Sequence, residues 1–174
     1  YDYEHNLIDS SRGKTKTLWP NANNTEFTAS QSNYDLTSFD TDGFTNGAPE
    51  STNSLGGGAV GKVAWQWKAN GGTTASNSDG SITSTVQANT TAGFSIVTFT
   101  SASSGNFSVG HGLGVQPAMI ITKSRDGTSN WWTWHKGLTG GNSNTSYIVA
   151  LERTTAEASY ANAWGAGVTS SVFG

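Results

Sequence analysis

The stretch from Ala118 to Lys136 limits the fold more than any other part of the chain. Two β-prone runs, Ala118–Lys123 (AMIITK) and Asn130–Lys136 (NWWTWHK), flank Ser124-Arg125-Asp126-Gly127-Thr128. A linker this rich in Ser, Asp and Gly between such runs predicts an antiparallel hairpin. Pro117 stands where a strand begins, and the apolar run after it predicts a central place in a sheet. Gly93–Thr100 (GFSIVTFT) alternates with period two, which sets Phe94 and Ile96 toward Ile82 or Val86 of a strand over Gly80–Val86. Tyr147–Glu152 (YIVALE) is a further strand, reached through the Gly-rich turn Leu138–Asn144. The pattern predicts an all-β fold: an antiparallel β-sandwich, of jelly-roll or related type, or two small β-modules.

The first half is broken into shorter pieces. Leu7–Ile8, Thr15–Trp19, Thr37–Phe39, Phe44 and Val63–Lys68 (VAWQWK) are strand candidates, Asp42-Gly43 is a sharp turn, and Gly56-Gly57-Gly58 is a connection or a close backbone approach. Thr154–Ala163 reads as irregular. His5-Asn6-Leu7 through Phe44-Thr45-Asn46-Gly47 runs in the same order as His135-Lys136-Gly137-Leu138 through Phe173-Gly174, at nearly constant spacing. This weak repeat divides the chain into a β-rich module fragment at 1–70 and a β-sandwich module at 71–174. The second would lack an equivalent of Val63–Lys68, so the first segment or a neighbouring subunit would complete it.

Composition narrows the function classes. With no Cys, neither disulfides nor thiolate metal sites arise. Charged residues make up 12% of the chain and the net charge is -3, so there is no broad electrostatic field for nucleic acid. Seven Trp, seven Phe and five Tyr supply the apolar area that a disordered chain of similar polarity would lack. No apolar run approaches the roughly 18 residues of a membrane helix, so membrane insertion is not expected. Because the chain opens at Tyr1 rather than Met, the missing signal sequence says little about export.

Motifs for catalysis are sparse. His5, His111 and His135 are too far apart for a zinc motif, and His111, set among glycines at 109–114, is expected in a tight turn with its imidazole bonded to backbone or packed on a neighbour. The acids stand mostly in or beside turns, where Asp caps its own backbone. Asp40-Thr41-Asp42-Gly43 resembles a calcium-loop fragment without its remaining ligands. The Gly-rich runs lack the Lys-Ser/Thr of a phosphate loop. Arg12, Lys14 and Lys16 form a basic cluster offset by Asp2, Glu4 and Asp9. No catalytic residue, cofactor or metal site is therefore assigned.

The indoles remain. Trp132 and Trp134 share one face of their strand, with Trp131, Thr133 and His135 on the other; Trp65 and Trp67 likewise share a face. One reading buries each pair in a core, with Trp131 packed under an adjoining loop. The other makes Trp131 an exposed stacking platform for a sugar ring, assisted by Asn130, His135 and Lys136.

Ala64–Gly72, Ser76–Val86 and Asn89–Val97, followed by Val109–Pro117, Met119–Lys123 and Trp131–His135, resemble a domain family of virion structural proteins in tailed phages of marine bacteria and cyanobacteria. His5–Gly13, Leu36–Asp40 and Asp42–Thr45 carry the same resemblance. It implies a concanavalin-like form of the β-sandwich and a non-enzymatic structural or surface module of a fibre, appendage or decoration protein, located on a virion or otherwise outside the cell. The implied partners are other copies, neighbouring virion proteins or a host surface glycan. The alternative is a carbohydrate-binding receptor-recognition domain using exposed aromatic residues.

Overall fold

The computed structural model describes residues 5–29, 36–47, 61–141, 146–161 and 163–174. The glycines at 56–58 and the end of the turn at 138–144 lie outside the described residues. Contacts divide the chain into two compact units, Tyr1–Gln66 with Lys123–Trp131, and Trp67–Thr122 with Trp132–Gly174. Among the described residues every regular element is a short β-strand paired antiparallel, so the chain is all-β. The strands lie in five small sheets of two to four strands.

In the first unit, β1 (Lys16–Thr17) pairs with β2 (Phe27–Thr28), and Leu7 bridges Leu18 beside them. β3 (Leu36–Phe39) and β4 (Phe44–Asn46) form a hairpin around the expected Asp42-Gly43 turn, closed by the Asp40 N–H donating to the Gly43 carbonyl at 2.9 Å. The apolar interior here is small, with Leu18, Leu36 and Trp131 buried. A charged cluster does much of the holding. Arg12, its side chain 4% exposed, donates to Asp9, to Glu26 at 3.0 Å and to the Leu7 carbonyl at 3.1 Å. Arg125 grips both oxygens of Glu26 at 2.9 Å. Burial alone would raise the Glu26 pKa, but the hydrogen bonds and charges of Arg125 and Arg12 outweigh it and hold the carboxyl below its ordinary value. The basic cluster is thus consumed internally: Lys14 donates to the Thr37 carbonyl and Lys16 to the Thr28 hydroxyl.

The second unit is built on β5 (Ala75–Asn77), β6 (Ser84–Asn89) and β7 (Phe94–Phe99), in that sheet order. β8 (Val109–Gly110) later pairs with β13 (Val172–Phe173). Between them come β9 (Met119–Thr122), β10 (Trp132–His135), β11 (Tyr147–Ala150) and β12 (Ala158–Ser159), ordered β12-β11-β10-β9. The core joins Val109, Ile120, Trp134, Ile148, Trp164, Val168 and Phe173. Two close approaches pin β6 to β8. Ser81 and Ser108 exchange hydrogen bonds at 2.9 Å, and the buried Ser84 hydroxyl donates to the Gly110 carbonyl at 2.8 Å. Gly80 is required there, because a Cβ would lie 2.2 Å from the Ser108 carbonyl oxygen.

Several expectations change. β9 pairs with β10 as the hairpin predicts, but among the described residues it is an edge strand rather than a central one, with Met119 and Ile121 exposed. On β7 it is Val97 and Phe99 that pack against the core, while Phe94 and Ile96 lie opposite Asn89 and Gln87. Alternation identified the two faces but assigned the wrong one inward. The strand read at Gly80–Val86 begins only at Ser84 and runs on to Asn89, since Asn77 and Asp79 tie the preceding turn together. Val63–Lys68 carries no strand, and β12 forms inside the stretch read as irregular. No helix among the described residues is long and apolar enough to cross a membrane.

Candidate recognition surface

The four residues expected to bind a sugar are not assembled around an exposed Trp131. Trp131 is only 3% exposed, and its indole N–H donates to the carbonyls of Trp19 at 3.0 Å and Ala22 at 2.9 Å. Those carbonyls belong to a turn in which the Ala22 N–H donates to the Trp19 carbonyl. Trp131 therefore packs under a loop and satisfies its backbone, and the stacking-platform assignment for this ring is corrected. Asn130 and Trp131 belong to the first unit, His135 and Lys136 to the second. His135 is exposed at the end of β10, where Nδ1 accepts the Gly137 N–H at 2.9 Å; Lys136 is exposed and its N–H donates to the Ala118 carbonyl.

His111 is buried as the tight-turn reading requires. Nδ1 accepts the Leu113 N–H at 3.2 Å and Nε2 lies 3.3 Å from the Thr169 carbonyl, which fixes a neutral imidazole with its proton on Nε2. Burial pushes its pKa below 6.5, against the opposing pull of the Thr169 carbonyl and Asp79. Asp40 takes the Thr45 hydroxyl at 2.8 Å, so it closes its own hairpin. Among the described residues no group of His, Asp and Glu is placed to hold a metal ion.

The exposed indoles are elsewhere. Trp65 is 74% and Trp67 59% exposed, which overturns the core reading of that pair. Trp67 lies on the second unit in near-parallel contact with Phe94 of β7, with ring centroids 6.1 Å apart and planes 22° apart. Its segment is fastened just downstream. The Asn89 side-chain amide donates to the carbonyls of Lys68 and Ala69 at 3.2 Å. The buried Gln87 side chain accepts the N–H groups of Asn70 and Gly72 at 3.2 and 2.9 Å. An exposed indole backed by a ring and set beside such an anchor is a preorganised stacking surface. Its signal was present in the alternating VAWQWK run, but alternation carries no information on which side solvent lies.

A second aromatic feature opens at the margin of the core. Six rings, Phe99, Phe107, Trp132, Tyr160, Trp164 and Phe173, line a cavity of about 360 Å³. Trp132 and Tyr160 are 5.8 Å apart with planes at 59°, and Tyr160 is about half exposed. Among the described residues the polar side-chain groups on its wall are the Thr122 hydroxyl, which donates to the Trp132 carbonyl, the Tyr160 hydroxyl and the indole N–H groups of Trp132 and Trp164, the last buried without a partner.

No curated protein and no solved structure matches the chain. Residues 2–174 match the family described as Domain of unknown function (DUF7483), and the chain belongs to that family.

Proposed function

We propose that this chain is a non-enzymatic recognition module of a phage-like virion surface, or another extracellular particle, that docks neutral host glycans on exposed aromatic rings. One observation carries the reading: Trp67 is largely exposed, backed by Phe94 and adjacent to backbone anchored by Gln87 and Asn89. A pyranose presents a flat array of C–H groups that stacks on such a ring. Low charge suits neutral sugars, which do not need electrostatic steering. In this reading the small sheets are the described part of a β-sandwich. The test is a glycan array followed by titration calorimetry on the best binder. Trp67→Ala is expected to abolish binding and keep the circular dichroism spectrum. Wild-type protein that binds no glycan, or a Trp67→Ala variant that binds equally well, would overturn the proposal.

The β9 edge supports a second role, assembly with other copies or neighbouring virion proteins, because Met119 and Ile121 stand exposed along it. Light scattering should then show a self-associating protein whose mass falls when Ile121 is replaced by Lys.

A further inference from the structure

We propose that the aromatic cavity of the second unit binds a quaternary ammonium group of the trimethylammonium type. The cavity is of small-ligand size, and among the described residues six rings and no charged side chain line it. Its polar side-chain groups are the Thr122 hydroxyl, already engaged, the Tyr160 hydroxyl and the indole N–H groups of Trp132 and Trp164, so acceptors are scarce on the described wall. A sugar placed there would leave several hydroxyls without partners, and a primary ammonium would leave its N–H donors unsatisfied. A quaternary ammonium has no N–H to satisfy. Its diffuse charge is attracted to ring faces, which distinguishes it from an alkyl group of the same shape.

Ring orientation points the same way. Trp132–Tyr160, Phe99–Phe107, Phe99–Phe173 and Trp164–Phe173 meet at 59, 53, 72 and 66°. These are contacts between neighbouring rings, and they give the lining several differently inclined rings, whereas the 22° Trp67–Phe94 pair offers one flat face. Tyr160, about half exposed and in contact with Trp132, is the solvent-facing ring of the lining.

The test uses the full chain with tetramethylammonium, choline, ethanolamine and the uncharged isostere 3,3-dimethylbutan-1-ol, followed by saturation-transfer NMR and indole fluorescence. Tetramethylammonium and choline are expected to bind, the isostere about tenfold more weakly, and ethanolamine not at all. Tyr160→Leu keeps an apolar wall and removes a ring, and should weaken choline binding about tenfold with an unchanged circular dichroism spectrum. Trp132→Leu is the second variant, should Tyr160→Leu fail to fold. Sedimentation with phosphatidylcholine but not phosphatidylglycerol vesicles, reversed by free choline, would identify a lipid head group as the source. Choline binding without sedimentation would identify a soluble or glycan-linked one. Equal binding of the isostere, no binding of either quaternary probe, or a folded Tyr160→Leu protein with unaltered choline affinity would each overturn the proposal. The cavity shares no residue with the Trp67–Phe94 pair, so Trp67→Ala leaves choline binding intact and the two readings can fail separately.

Discussion

The two units solve the same problem with different materials. The first has few buried apolar side chains and gathers Asp9, Arg12, Glu26 and Arg125 into a charged clasp. The second concentrates its stability in apolar contacts around Trp134, Ile148, Trp164 and Phe173, and leaves the indole N–H groups of Trp134 and Trp164 without a partner. Among the described residues the first unit's sheets are two-stranded and bury little area, so directional bonds must fix its loops. Where strands lengthen and aromatics cluster, burial carries more of the load beside the Ser81, Ser84, Gln87 and Asn89 hydrogen bonds, and two orphan donors are tolerated.

Substitutions can break this contrast. Trp134→Ala removes a fully buried ring from the second unit and should cost about 3–5 kcal/mol in urea unfolding. Trp134→Phe should cost clearly less, because it also deletes an unsatisfied donor. Glu26→Ala leaves the largely buried Arg12 without that partner, at about 2–4 kcal/mol, and hydrogen exchange should rise first at β1 and β2. A smaller loss for Trp134→Ala than for Glu26→Ala would refute the division of roles. Gly80→Ala forces the Ser108 backbone to shift and should cost about 1–3 kcal/mol.

Acid sharpens the comparison further. His111 has a folded pKa below 6.5, so the unfolded chain takes up the proton more readily and the second unit loses stability as pH falls below that value. Glu26 has a folded pKa below its ordinary 4.5, so its contribution is complete above that value and disappears as pH drops through the folded pKa. Exchange measured between pH 7 and 3 should therefore loosen the turn around His111 before β1 and β2. The reverse order would show that His111 carries no such linkage. The smallest effect belongs to Trp67→Ala, which should change stability by about 0.5 kcal/mol or less and act on binding alone.

Local features were readable wherever a turn and its flanking residues supply the whole signal. The hairpin around Asp40–Gly43, the β9–β10 pairing and the His111 imidazole bonded to backbone are of this kind. The edge position of β9 and the inward face of β7 were not readable, because each depends on which strand lies next to it.

The indoles mark the boundary most clearly. NWWTWHK and VAWQWK both alternate aromatic and polar residues, and sequence alone determined an all-β chain, its turns and its lack of charge for nucleic acid. Only tertiary structure decided that Trp131 closes over the carbonyls of Trp19 and Ala22, more than 100 residues away, while Trp67 faces solvent. Period-two patterning separates two faces of a segment, but burial is conferred by distant chain that covers one of them, and no local pattern records where that chain will lie.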